Sequence, residues 1–415
     1  MHLFLKFIHL MYWYHDVQKG GLKMIQKVKE GENYIMHTYG RFPVVLERGE
    51  GVYLYDEEGK KYLDMYAGIA VNALGYGHPR LTEALKQQVE KMMHVSNYYY
   101  TSPLIDASKL IIEHSCFDKV FFRNSGAEAN EGALKLAKKY GKSKRDDKVQ
   151  IIAMKKSFHG RTHGALAITG QEKYQKHFMP LIPNVSYATY NDIESLKALI
   201  SDQTCAVILE VIQGEGGIIP AGATYLQEVA ALCKQYDALL IVDEVQTGMG
   251  RTGSLFAFEQ FGITPDVVTM AKGLGGGVPI GAMACTSKAD VLVPGDHAST
   301  FGGNPLVTTA AKVVLEELLM HDLLDHVKEV GAYLKEELVK LQKEFTCIKE
   351  IRGMGMMLGM ELTVPALEVE QACMAHGMLV VGAGEKVVRF VPPLIIEKAH
   401  VDEAIEILRT VLANR

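Results

Sequence analysis

Five short runs of apolar residues punctuate the middle of the chain: VFF at 120–122, VQIIAM at 149–154, CAVILEVI at 205–212, ALLIVDEV at 238–245 and DVVTMA at 266–271. Apolar residues dominate each run without a polar alternation, which predicts strands buried on both faces, the mark of a parallel sheet. Between them lie stretches with helical spacing, ANEGALKLAKKYGKS at 129–143 and TYLQEVAALCKQYD at 224–237. This alternation predicts an α/β fold with a mostly parallel sheet covered by helices on both faces. Upstream, 44–66 alternates apolar and polar residues around Gly-rich turns and predicts a small antiparallel meander. From about 306 a long helical stretch leads to IKEIRGMGMMLGMEL at 348–362 and KVVRFVPPLII at 386–396, which read as strands of a second sheet. The expected division is a large domain over 76–305 and a smaller α/β domain over 306–415, with 24–75 contributing to the smaller one.

The length of 415 residues accommodates two domains. A net charge of −5, with 22% charged and 48% apolar residues, fits an ordinary globular protein, and no segment is basic enough for a nucleic-acid footprint. The six cysteines are scattered without a C-x-x-C pair, which argues against a metal site or disulfide framework and for a reducing cytoplasm. Residues 1–23 carry a broken apolar and aromatic stretch. It is too short and too interrupted by Lys and His to span a bilayer, and it lacks a signal-peptide cleavage pattern. Met24 is the expected natural start, with 1–23 an incidental, disordered extension.

Several runs stop at a reactive residue. ALLIVDEVQTGMGRTG contains Asp243 and Gln246, and DVVTMAKGLGGGVPIGAM contains Lys272. In open parallel sheets ligands sit at the C-terminal strand ends. Ser125, Phe158, Glu210, Asp243 and Lys272 all fall at or just after such ends. A lysine and an aspartate so placed suit pyridoxal phosphate: the amine forms a Schiff base with the aldehyde, and the carboxylate keeps the pyridine nitrogen protonated. Asp243 could equally cap a helix, and Gln246 can reach the cofactor's phenolic oxygen. FFRNSGAEANEGALKLA runs from a strand through Ser125, Gly126 and Ala127 into a helix, whose free N–H groups favour a phosphate. Ser125 with Glu128 also reads as a capping box. Phe158 can stack on a flat ring, His159 serves packing or chemistry equally well, and Arg161 fits a carboxylate. Arg389 is a second carboxylate binder, with Glu215 as a mask for it, and an ordinary ion pair is the competing reading. Ser299 and Thr300 precede a Gly-Gly turn that can offer a hydroxyl and an N–H to phosphate. GLGGGVPIG lacks the spacing of a dinucleotide or Walker loop.

GIAVNALGYGHP, NSGAEANEGALKLA, SFHGRTHGALAITG, EVIQGEGG, VDEVQTGMGRTG, AKGLGGGVPIGA, STFGGNPL and RFVPPL together resemble the class III aminotransferases of the ornithine type, over nearly everything from about 34 to the end. The resemblance implies a fold type I transferase that uses pyridoxal 5'-phosphate. It also implies a homodimer with active sites at the subunit interface, and N-acetylornithine and α-ketoglutarate as substrates, with succinylornithine, ornithine, γ-aminobutyrate or succinyldiaminopimelate as the alternative amine. By the same resemblance Lys272 is the Schiff-base lysine, Asp243 the pyridinium partner, and Val245 and Gln246 further cofactor contacts. Phe158 is the stacking ring, and Ser125, Gly126 and Ala127 form the phosphate turn. Thr300 is the phosphate ligand given to the other subunit. Arg161 and Ser299 contact the amine substrate, Arg389 grips the α-carboxylate with Glu215 as its gate, and Tyr39 lines the substrate pocket.

Overall fold

Four of the five apolar runs become inner strands of a seven-stranded sheet, and the fifth, VFF at 120–122, lies in its edge strand. The computed structural model describes residues 22–413. Its large sheet has the order Lys119–Arg123, Gly281–Cys285, Val267–Met270, Leu239–Asp243, Thr204–Leu209, Gln150–Met154 and Val185–Ala188. Pairing is parallel from Val267–Met270 across to Val185–Ala188, while Gly281–Cys285 runs antiparallel to both its neighbours.

Side chains along a strand alternate between faces. Val207, Leu209, Leu240, Val242 and Val268 enter one core. Ala206, Ile208, Leu239, Ile241 and Val267 enter the other, together with Ala133, Leu134 and Ala137 of the helix Gly126–Lys144. A fully buried Val, Leu or Ile contributes roughly 1.5–3 kcal/mol, so a charged side chain is tolerated only where a strand ends. The same alternation puts Asp243, two after Ile241, and Thr269, two after Val267, on the face covered by that helix. The two are register partners.

The strands are shorter than the apolar runs. Thr204–Leu209 stops before Glu210, and Ile212–Gln213 pairs separately with Ile219–Pro220. Val387–Phe390 stops before Val391-Pro392-Pro393, because proline has no N–H for a ladder. Two strands escape the apolar pattern. Gly281–Cys285 is GAMAC, without a β-branched residue, and Val185–Ala188 is only partly buried.

The 44–66 meander is present as Leu46–Glu50, Tyr53–Asp56 and Lys61–Asp64. Lys61–Asp64 pairs in parallel with Met378–Leu379, so this N-terminal sheet is completed from the C-terminal part. A further antiparallel sheet joins Ile348–Met354, Met357–Leu362, Val387–Phe390 and Val381–Gly382. The helix Pro305–Met320 packs on the helices Pro79–Lys91 and Ser102–Glu113 and on the turn Lys272–Gly275, whereas Leu323–Glu344 packs on Ile348–Met354. The expectation for 1–23 lies outside the described residues, apart from the last two, which open the helix Leu22–Tyr34. All six cysteines are free. Among the described residues no helix is long and apolar enough to cross a membrane.

Candidate active site

A cavity of about 480 Å3 opens at the C-terminal ends of the parallel strands. Ser125, Phe158, Glu210, Asp243 and Lys272, each from a different strand end, all line it, along with Gly126, Ala127, Arg161, Glu215, Val245 and Gln246. The sheet is what gathers them: five strands, far apart in sequence, finish at one edge.

Lys272 sits at the start of the short helical turn Lys272–Gly275. Its φ of +41° is left-handed, a conformation that costs a non-glycine residue about 1–3 kcal/mol and persists only where the surroundings impose it. Burial pushes its amine down to about 8; Glu215 opposes the shift, and Arg389 reinforces it. An amine of this kind is partly neutral, hence nucleophilic, near neutral pH.

Asp243 is 4% exposed and carries three donors. His159 Nδ1 lies 2.7 Å from Oδ2, Asn130 Nδ2 donates to the same oxygen at 2.8 Å, and Val245 N donates to Oδ1 at 2.9 Å. Burial disfavours a protonated His159, but the bond to Asp243 and its charge outweigh that and hold the imidazole pKa above its ordinary value. Asn130 is saturated: it also donates to His159 O at 2.8 Å and accepts from Thr269 Oγ1 at 2.8 Å. A carboxylate held by three donors thus lines the same cavity as the lysine. No helix starts at Asp243, so the helix-cap alternative does not hold: the Val245 bond closes a two-residue side-chain turn after the strand Leu239–Asp243.

The helix Gly126–Lys144 begins in the cavity wall. Ser125 Oγ accepts from Glu128 N at 3.2 Å, as a capping residue should. The Glu128 carboxylate reaches Asn124 N at 3.0 Å and Asn124 Nδ2 at 2.9 Å, so the reciprocal arm of the box is displaced by one residue. The first N–H groups of a helix have no intrahelical acceptor and point out of its end. Gly126 is required here, because a β-carbon would lie 2.7 Å from Val245 Cγ1.

Phe158 is half-buried, edge-on to Tyr174 at 5.9 Å, and its N–H donates to Glu210 Oε2 at 3.1 Å. Burial pushes the Glu210 carboxyl up to about 7. Arg161 is exposed, its guanidinium 4.1 Å over the Tyr174 ring. Arg389 is 1% exposed, does not itself line the cavity, and forms an ion pair with Glu215 at 2.5 Å. It also donates to Gln246 Oε1 at 3.0 Å and to Gly382 O at 3.2 Å. Glu215 and Gln246 therefore stand between Arg389 and the cavity. Despite its burial, Glu215 is held below the ordinary carboxylate range by Arg389.

Three expected residues lie elsewhere. Ser299 is outside the lining and is tied to Asn124 Nδ2 at 3.2 Å. Thr300 is exposed in a separate small cleft with Asn97 and Tyr99. Tyr39 is 71% exposed and away from the cavity. Conversely, Asn130, Asn124 and Val71 belong to the lining without having been singled out. Asn130 had a signal, since it is the one amide on the helix face that carries Ala133, Leu134 and Ala137. Val71 follows a turn in which Ala67, Gly68, Ile69 and Ala70 all have positive φ, from 50° to 67°. Asp64 clamps that turn through Ala67 N at 2.8 Å and Tyr66 N at 3.0 Å.

A nucleophilic lysine, a buried carboxylate, an aromatic ring and a helix N-terminus lining one cavity fit pyridoxal phosphate in donor chemistry. With this sheet they define a fold type I pyridoxal-phosphate enzyme. The family model for class III aminotransferases matches residues 34–412, and the chain belongs to that family. It is 50% identical over 385 residues to the acetylornithine aminotransferase of Caldanaerobacter subterraneus subsp. tengcongensis, covering 92% of this chain and 98% of that one. It is 49% identical to the acetylornithine aminotransferase of Aquifex aeolicus, covering 91% and 100%. Among solved structures, the ornithine aminotransferase of Toxoplasma gondii ME49 superposes with a TM-score of 0.91 at 32% identity, over 97% of each chain. The N-acetylornithine aminotransferase of Stenotrophomonas maltophilia K279a gives 0.80 at 36%, over 93% and 98%.

Proposed function

We propose that this enzyme moves the δ-amino group of N-acetyl-L-ornithine to α-ketoglutarate, giving N-acetyl-L-glutamate 5-semialdehyde and L-glutamate. The observation that carries this reading is Lys272 and Asp243 lining one cavity, with Arg389 held behind the carboxylate of Glu215, which lines it too. The high identity to acetylornithine aminotransferases supports the choice of amine.

Bound pyridoxal phosphate supplies the aldehyde that takes up the amino group and a protonated ring that draws electrons from the reacting carbon. Lys272 holds it covalently. Asp243, charged and oriented by His159 and Asn130, keeps the ring nitrogen protonated. Gln246 and Val245 make further cofactor contacts, and Phe158 packs on the ring. Ser125, Gly126 and Ala127 cradle the phosphate with free N–H groups. Arg161, which lines the cavity, orients the amine substrate through its carboxylate. Once displaced, Lys272 Nζ removes a proton from the carbon bearing the amine and later delivers one to the α-carbon of the oxo acid; a pKa near the working pH suits both directions. Glu215 covers Arg389 while the amine is bound and releases it to the α-carboxylate of α-ketoglutarate. The working unit is a cytoplasmic homodimer, with Thr300 reaching the partner's phosphate site.

The direct test follows each half-reaction by the loss and return of the yellow cofactor band. N-acetylornithine should discharge it faster than N-succinylornithine, ornithine or γ-aminobutyrate, and α-ketoglutarate should restore it. Faster discharge by another amine would reassign the substrate.

A second expectation concerns pH. The Lys272 amine is lowered from 10.5 to about 8, so its neutral, reactive fraction grows as pH rises through about 8. The rate at which cofactor-free protein takes up pyridoxal phosphate covalently should climb with a midpoint near that value. A midpoint close to 10.5 would mean that the amine is not desolvated.

A further inference from the structure

Arg389 poses a mechanical problem. It is buried on the strand Val387–Phe390, its Nε has no hydrogen-bond partner, and two of its three side-chain acceptors, Glu215 and Gln246, stand between it and the cavity. If Glu215 withdraws to admit a substrate carboxylate, Gln246 Oε1 and Gly382 O remain as acceptors, and Gly382 O, 3.2 Å from Nη2, is the one held by backbone rather than by a side chain. The direction of the guanidinium then depends on what holds the Gly382 peptide.

That peptide lies on the two-residue strand Val381–Gly382, paired to Val387–Phe390. Behind it is Glu370, on the helix Ala366–Ala375. The Glu370 carboxylate lies against Gly382 so closely that a β-carbon there would sit 2.7 Å from its Oε1. Burial pushes the Glu370 carboxyl up to about 7; the charge of Arg389 and the Gly382 N–H both pull it down. A carboxyl oxygen is available to that N–H in either protonation state.

We propose that Glu370 is a positioning residue for Arg389: it holds the Gly382 peptide from behind, so that the Gly382 carbonyl keeps Arg389 aimed at the oxo-acid carboxylate when Glu215 lets go. The inference rests on the reading of Arg389 as the α-carboxylate binder. It assigns to Glu370 a role in the second half-reaction and none in the first, where Glu215 still clamps Arg389. The oxygen acts as an acceptor, so its charge is not what matters.

The test uses the holoenzyme and separates the two half-reactions. Glu370→Ala should raise the half-saturating concentration of α-ketoglutarate roughly tenfold, the effect of losing about 1.4 kcal/mol of orientation. It should leave the half-reaction with N-acetylornithine within about twofold of the parent, less than half a kcal/mol. Glu370→Gln, which keeps an acceptor oxygen at the same reach, should restore the parental value. Equal loss in both half-reactions, an unchanged oxo-acid half-reaction, or a Gln variant as impaired as Ala would each overturn the proposal. Failure of the parent enzyme itself to react with α-ketoglutarate would remove the reading of Arg389, and this inference with it.

Discussion

Lys272→Ala should eliminate steady-state transamination, a loss of at least about 10^4-fold, because one side chain serves as covalent anchor, nucleophile and proton carrier. The cavity would survive, since Lys272 lies at its wall and the flanking Ala271, Gly273 and Leu274 are buried independently. The variant should therefore fold and bind pyridoxal phosphate reversibly. Borohydride reduction followed by mass measurement should find the cofactor attached to the parent and absent from the variant. Residual turnover within a hundredfold of the parent would show that another group moves the proton. Glu210 is the nearest candidate by chemistry, because it lines the same cavity and its carboxyl is pushed up to about 7.

The second large effect belongs to Asp243. Asp243→Asn should lower kcat on the order of 10^3-fold, the scale of removing one preorganised charge from a buried reacting site. The amide keeps an oxygen for Asn130 or for Val245, so the loss of stability should stay near 1 kcal/mol. Asp243→Ala would leave His159 Nδ1 and one N–H of Asn130 without their acceptor in the interior and cost about 3 kcal/mol as well. Comparing kcat and urea midpoints of the two variants separates chemistry from folding. A kcat for the Asn variant within tenfold of the parent would show that the ring nitrogen does not depend on this charge.

Much of this was readable along the chain. Runs such as ALLIVDEV announced buried parallel strands, because a strand covered on both faces cannot afford polar residues before its end. That same physics made Asp243 and Lys272 conspicuous, as polar residues arriving where an apolar run gives out. The weak points were short or small-residue elements. GAMAC forms an inner strand through backbone pairing to two neighbours, and nothing in its side chains advertises it.

The sequence by itself therefore determined the layered α/β architecture, the strand ends as the reactive edge, and the family. These depend on local periodicity and on residue types that only a few environments tolerate. Only the tertiary structure decided who meets whom. Strand parity aimed Asp243 at the helix that carries Asn130 and beside His159. The second sheet brought Arg389 to Glu215, 174 positions away in the chain, with Gly382 and Glu370 behind it. Those contacts join elements distant in sequence, and a side chain's partner across such a gap is set by sheet order and packing, which no local pattern encodes.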